Sequence, residues 1–369
     1  LAARLLFFTI FIDKPLTGDV PGFLNRAEQI TSFYEASGRE PLWILWVKTV
    51  TSGEGDTKTA LQLSNIILSV LAGIMVFLIL KRLLGEIPAL AGSALYLFIP
   101  YMLYSPLRAH RLEIYLLLLL LFTYFALFKM AEYYGAIWTG IISAALLLVR
   151  MESSLIITAG LIYIIFTISK KRILKTLLFI ILPLLTLAGP FYLNCKLQKG
   201  SFFYVINRHS RFYTKYEQPK SKPVKPYEKE AGKDIAGKDT SLAGYLFKSR
   251  GLTGMLKRFA GGYWEAATGA GRHLLSTPVN LGFLIYFIWT GLLSMLFFKE
   301  GRVLLFWGLL YLLPHVFILP GRVAGYSSVD IRFAAPVSVL FAFSFASLFY
   351  IVSIAAGRFA GKNKKSVDF

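Results

Sequence analysis

The sequence predicts an all-α polytopic membrane protein of about ten transmembrane helices, and three observations predict it. Hydrophobic residues make up 56% of the 369 and aromatic residues 15%, while charged residues are held to 16%, a balance suited to lipid rather than water. Apolar runs approaching the roughly 20 residues that cross a bilayer recur along the chain. None alternates strictly, and in lipid each segment must satisfy its own backbone polar groups, so the runs read as helices and not as barrel strands.

The expected spans are 1–12, 63–80, 88–104, 114–128, 136–149, 154–168, 174–193, 281–298, 304–319 and 334–355. The first opens Leu-Ala-Ala-Arg without a methionine and looks cut short, either as a fragment or because preceding residues were removed. Cleavage of a signal peptide fits less well, because apolar sequence simply continues. The missing piece would be the cytoplasmic start of that helix. Three units follow: an N-terminal membrane module (1–193) with a polar first loop (13–58), a long loop (194–280), and the last helices with a basic tail (281–369).

Orientation comes from lysine and arginine in the short connections. Lys81 and Arg82, Lys129, the group Lys170, Lys171, Arg172 and Lys175, the pair Lys299 and Arg302, and the tail Arg358, Lys362, Lys364 and Lys365 fall on one side if the spans alternate. That side is expected to be cytoplasmic. Loop 13–58, the turns at 105–113 and 150–153, and loops 194–280 and 320–333 then lie outside. The long loop is itself basic, but long loops cross largely regardless of charge. Between Lys215 and Lys248 it is rich in lysine, proline and glycine, as in a mobile segment or a substrate lid. Farther on, GLTGMLKRFAGGYWEAATGAGRHLL has helical spacing suited to lying along the membrane surface.

The net charge of +20 favours anionic headgroups or phosphate-bearing substrates as partners. No nucleic-acid module is visible, and much of the excess belongs to cytoplasmic loop ends. A single cysteine, Cys195, allows neither an intrachain disulfide nor a thiolate zinc site. The histidines His110, His209, His273 and His315 show no ligand spacing, and no glycine loop cradles a nucleotide, so no nucleotide cofactor is expected.

In the first loop Phe23, Ala27, Ile30 and Phe33 or Tyr34 recur at spacings of three and four, as in an amphipathic interfacial helix, with Pro21 near its start and Gly38 beyond its end. Asp19 stands immediately before that helix. It caps the helix, or it faces a cavity as a general base or metal-linked carboxylate, or it does both.

A second group, Arg108, His110, Arg111 and Glu113, gathers at the outer mouth of the fourth span. Charges at a span boundary can snorkel to headgroups, the bland reading for Arg108 and Arg111. Glu113 is followed directly by a long apolar run and is costly if turned to lipid, so it is expected to face inward and to bind a divalent cation or pair with an arginine.

Arg150 and Glu152 interrupt two apolar runs at a hairpin turn. They pair with each other, or Arg150 contacts a lipid phosphate. Arg322, Tyr326, Asp330 and Arg332 precede the final span. An arginine fork matches phosphate oxygens, which makes Arg332 the better phosphate clamp.

An acidic residue before an amphipathic helix, then Glu40, Pro41, Leu42 and Trp43 leading to a span, resembles the membrane-embedded GT-C glycosyltransferases of the protein O-mannosyltransferase and lipid A aminoarabinose transferase branch. The resemblance continues through 64–113 and LLLVRMESSLII and ends at IRFAAPVSVLF. It implies an inverting transfer of a sugar from a polyprenyl-phosphate donor to a lipid, glycan or protein acceptor on the external side of a prokaryotic plasma membrane. On that pattern Asp19 activates the acceptor hydroxyl, and Glu113 builds the site or holds a divalent cation, Mg or Mn. Arg332 and Arg150 meet the departing phosphate, with Arg108, His110 and Tyr326 as accessories. The chain departs from the commonest form in lacking a second carboxylate beside Asp19, where Gly18 and Val20 stand.

The rival from another class is a transporter or flippase for an amphipathic or lipid-linked solute, with the same residues forming a gated polar path. Transporters commonly carry internal repeats and ionisable residues at mid-span. No repeat is visible here, and the acidic residues gather at one face. A non-catalytic membrane scaffold gives no reason for that one-sided cluster.

Overall fold

The computed structural model describes residues 2–11, 16, 19–35, 39–53, 55–130, 132–205, 242–276, 280–316 and 334–359. Tyr326 and Arg332, His209, most of the basic stretch after Lys215 and the basic tail beyond Phe359 lie outside the described residues. Among the described residues every regular element is a helix. The first loop supplies α2 (Val20–Gln29) and α3 (Pro41–Thr51), after α1 (Ala2–Phe11). The central bundle consists of α4 (Thr57–Leu84), α5 (Glu86–Phe98), α6 (Pro100–Tyr104), α7 (Leu112–Phe128), α8 (Tyr133–Val149), α9 (Ser154–Thr167) and α10 (Ile173–Lys199). Beyond it come α11 (Leu242–Ala267), α12 (Gly269–Ser276), α13 (Leu284–Ser294), α14 (Lys299–Leu312) and α15 (Val337–Phe359).

Each expected apolar run holds a helix over described residues, that of 304–319 only as far as Leu312, and the helices are unequal. By length and composition α4, α10 and α15 are each long enough to cross a membrane, while α5 and the arm Pro100–Arg108, bent by 61°, pass that test only when taken together, as a broken span or a re-entrant loop. The helices α7, α8, α9 and α13 are apolar but shorter, and 3-10 turns at Met151–Ser153 and Met295–Phe297 lengthen α9 and α13.

The arrangement of side chains on α4 suits lipid outside and protein inside. Ile67, Leu71, Ile74 and Leu78, at helical spacing, are exposed, while Gln62, Asn65 and Ser69 are buried on the opposite face. Its start is capped by Asp56, which accepts from the backbone N–H of Lys58 (3.3 Å) and Thr59 (3.1 Å). Its end turns at Gly85, whose φ of 88° is open to glycine at little cost. Small residues let the helices approach closely. Gly140 of α8 faces the backbone of Ile180 on α10, Gly92 of α5 faces Ala342 on α15, and Gly308 of α14 faces Leu340 on α15.

The bend between α5 and α6 was not expected; the sequence read 88–104 as one span. Pro100 forces the preceding Ile99 into an extended conformation (ψ 123°) and supplies no N–H. A second proline, Pro106, removes the donor that would have reached the Met102 carbonyl. Arg4 fills the second gap, donating from Nη1 to Met102 O (2.6 Å), and from Nη2 it reaches Leu97 O (3.3 Å), the carbonyl that Tyr101 N–H would meet in an unbroken helix. A 3-10 turn (Ser105–Arg108) and Ala109 in the left-handed region (φ 51°) then reverse the chain into α7.

The surface helix expected over 251–275 is present as α11 and α12, with a kink at Gly251. It docks on the bundle: Gly262 lies against the Val316 carbonyl, and the Tyr263 hydroxyl donates to Leu309 O (3.0 Å). Trp264, Leu252 and Leu256 stay exposed.

Candidate active site

The first loop is built to hold charges against the end of the bundle. In α2 the residues Val20, Phe23 and Ala27 are buried, as the spacing requires, and Pro21 sits in the first turn. Lys48 Nζ donates to Ile30 O (2.7 Å), and Asn194 Nδ2 donates to Tyr34 O (2.9 Å), tying the loop to α3 and α10. Asp19 stands at the start of α2 without a side-chain cap hydrogen bond, in αR geometry (φ −81°, ψ −9°). Its Oδ1 lies 3.8 Å from Arg39 Nη2, and about a third of the side chain (32%) is open. The capping alternative therefore has no hydrogen bond behind it.

Arg39 rests over the Phe23 ring, 5.7 Å from its centroid. Burial, and next the like charge of Arg111, push its guanidinium down to about 10, against the opposing pull of Asp19 and Glu40. It still carries its charge at neutral pH.

Glu40, the next residue, is the hub. Its side chain is fully buried. Oε2 accepts from Arg111 Nη1 at 2.6 Å, and Oε1 accepts from the Met151 backbone N–H at 3.0 Å. The same Arg111 Nη1 also donates to Val149 O (3.0 Å). One carboxylate thus joins the start of α3, the start of α7 and the turn after α8. That turn carries Arg150, whose guanidinium lies 5.0 Å from the Tyr115 ring centroid and whose Nε is 3.9 Å from Glu152 Oε2. His315, buried at the end of α14, packs edge-on to Tyr115 (6.3 Å) within electrostatic reach of Arg150, Glu152 and Arg111.

Of the residues singled out in the sequence, Asp19, Arg111, Arg150 and Glu152 reach this layer. The snorkelling reading of Arg108 and Arg111 is corrected: Arg108 is buried (7%), and Arg111 is turned inward onto Glu40. Two polar side chains of α4 set that local path, Gln62 Nε2 donating to Leu107 O (2.7 Å) and Asn65 Nδ2 to the carbonyl of His110 (3.1 Å), itself buried at 5%. Tyr326 and Arg332 fall outside the described residues.

Glu113 faces inward, as its neighbours in sequence require, but into a second chamber. It is fully buried, Oε1 accepts from the Ser105 hydroxyl, and Arg4 and Tyr96 lie within electrostatic reach. The arginine within electrostatic reach is therefore Arg4 of α1, whose own hydrogen bonds go to Met102 O and Leu97 O. One carboxylate among hydroxyls and a guanidinium is not a donor set for Mg or Mn, which take several oxygen ligands. Among the described residues no group of three or more His, Cys, Asp or Glu converges.

Glu40, Arg4 and His315 were missed as site residues, although a signal existed for two of them. Glu40 directly precedes an apolar helix, the argument that had picked out Glu113. Arg4 interrupts an apolar run, and an ionisable residue in a span faces a partner or a cavity.

Residues 40–189 match the model of a family described as dolichyl-phosphate-mannose-protein mannosyltransferase. The matched stretch opens on Glu40 and includes Arg111, Glu113, Arg150 and Glu152; Arg4, Asp19 and Arg39 precede it. Comparison with curated proteins and with solved structures found no match.

Proposed function

We propose that this membrane protein, whose residues 40–189 match the dolichyl-phosphate-mannose-protein mannosyltransferase family, is a GT-C type transferase that moves a sugar from a polyprenyl-phosphate donor to an acceptor hydroxyl on the external side, with Asp19 as the base. The observation that carries the reading is the Glu40 bridge, which joins the loop bearing Asp19 to the turn bearing Arg150. A half-buried carboxylate and a buried guanidinium are thereby held at one end of the bundle. The ends of α4 and α7 that carry Lys81, Arg82 and Lys129 lie at the other, where Arg82 stacks on Tyr124 and Phe128.

In the transfer, the acceptor oxygen forms its bond to the anomeric carbon as the bond from that carbon to the phosphate oxygen breaks. Asp19 takes the acceptor proton, and the bonding pair leaves on the lipid phosphate. Inversion follows from attack opposite the leaving oxygen. Arg150 meets the growing phosphate charge, a role for which Arg332 is the second candidate on sequence grounds, and charge stabilisation of this kind is strong where water is excluded. The lipid tail keeps the phosphate at the depth of the layer, and no nucleotide takes part. Glu113, with Arg4 within electrostatic reach, shapes the wall behind the site.

The test uses purified protein in lipid nanodiscs supplied with a polyprenyl-phospho-sugar or with a nucleotide sugar. Release of lipid phosphate from the first donor alone is expected, and Arg150→Gln should raise the donor KM by about tenfold while leaving the acceptor KM in place. Use of nucleotide sugar only, or solute flux across proteoliposomes without sugar transfer, would overturn the reading and favour a different transferase or a transporter.

A further inference from the structure

Each carboxylate in the charged layer has a guanidinium against it: Asp19 meets Arg39 (3.8 Å), Glu40 meets Arg111 (2.6 Å) and Glu152 meets Arg150 (3.9 Å). Arg26 lies within electrostatic reach of Arg39, and His315 within reach of Arg150. Of the three pairs only the Glu40 pair has a fully buried carboxylate and the short contact of a charge-assisted hydrogen bond. An apolar residue at position 40 would leave Arg111 uncompensated in a place where charge is expensive.

The reaction proposed above places unusual demands on such a layer. The donor is a phosphodiester with one negative charge, whereas the released polyprenyl phosphate is a monoester that carries nearly two at neutral pH. Any surplus positive charge in the layer holds the product more tightly than the donor.

We propose that Glu40 is a positioning residue that also sets the charge of the layer, cancelling Arg111 so that lipid phosphate, once formed beside Arg150, is let go. The inference rests on Arg150 as the phosphate contact. Glu40 does not touch the reacting atoms; it acts through Arg111 and through the Met151 N–H, which fixes the turn on which Arg150 stands.

Glu40→Gln keeps an acceptor for the Met151 N–H and removes one negative charge. Inhibition by added polyprenyl phosphate should tighten by about tenfold, as one more unit charge at this range implies. The donor KM should fall by less, and kcat should drop as release slows. The double variant Glu40→Gln with Arg111→Gln restores neutrality and should bring the inhibition constant back to that of the unaltered protein. A residue of merely structural importance would raise both the inhibition constant and the donor KM, and that result overturns the proposal, as does an unchanged inhibition constant. Should Glu40→Gln fail to fold, Glu40→Asp retains the charge on a shorter arm: kcat should fall with the inhibition constant unmoved, and a tightened constant would count against the idea. The two readings fail separately. If polyprenyl phosphate does not inhibit the unaltered protein and Arg150→Gln changes nothing, the phosphate site itself is wrong. If inhibition is present and weakened by Arg150→Gln but indifferent to the charge at position 40, only the role of Glu40 falls.

Discussion

Asp19→Asn should abolish turnover while leaving the protein folded. General-base catalysis contributes roughly 10²- to 10⁴-fold, so kcat should fall by at least about a hundredfold with the KM for donor and acceptor nearly unchanged. The two sizes of effect separate cleanly because of where Asp19 stands. Its contact with Arg39 is long (3.8 Å) and partly open to solvent, and exposed pairs of this kind are worth about 1 kcal/mol at most. No side-chain cap hydrogen bond ties it to the start of α2, so the helix does not depend on it as a cap. An unchanged melting profile in detergent beside lost release of lipid phosphate is therefore the expected pair of results. Full turnover in the variant would remove Asp19 as the base, and a large fall in melting temperature would return it to a structural role.

The largest effect on stability is expected at Arg4. This side chain is almost fully buried (2%), it supplies the donors missing at the break between α5 and α6, and it is the cation within reach of the buried Glu113. Arg4→Met removes the hydrogen bonds and leaves Glu113 without a compensating charge, a change that typically costs about 3–5 kcal/mol. Thermal denaturation in detergent should register it as a drop of several degrees or as loss of the folded species on size exclusion. The double change Arg4→Met with Glu113→Gln should recover much of that loss, because the uncompensated carboxylate is gone while the Ser105 hydroxyl keeps an acceptor. If the double variant is stable and still turns over, Glu113 is a structural wall. If it is stable and inactive, Glu113 acts on substrate. Arg4→Met melting with the unaltered protein would contradict the structural role of Arg4 altogether.

The apolar runs made the helical bundle legible in the sequence, since in lipid a run of that length has no other way to satisfy its backbone. The amphipathic helix in the first loop and the surface helix after position 251 were legible for a similar reason, a helical period in the apolar positions. The break at Ile99 and Pro100 was not, although Pro100 was in plain view, because the residues on both sides are apolar and hydropathy runs through the bend. The site was legible in part. Asp19, Arg150 and Glu113 stood out because each interrupts or adjoins an apolar segment, and the same rule applied evenly would have picked out Glu40 and Arg4. What no local pattern carries is which charge meets which. Glu40 pairs with Arg111 and with the N–H of Met151, while Glu113, two residues after Arg111, turns to Ser105 and Arg4. Those partners are chosen by the crossing of α3, α7 and α8 and by the bend in α5 and α6, which only the folded chain displays. The divalent cation was read both from the position of Glu113 and from the family resemblance, and the described neighbours of Glu113 supply hydroxyls and a guanidinium in place of further carboxylates.

The account stands on lipid phosphate being received in the charged layer between α2, α3, α7 and the turn after α8. Its most direct measurement is an experimental structure of the protein in nanodiscs with a polyprenyl phosphonate sugar, in which a carbon replaces the scissile oxygen. The account predicts the phosphonate within hydrogen-bonding distance of the Arg150 guanidinium and the sugar between it and Asp19. Phosphonate bound at the far end of the bundle beside Lys81 and Arg82, or a sugar lying out of reach of Asp19, would contradict it.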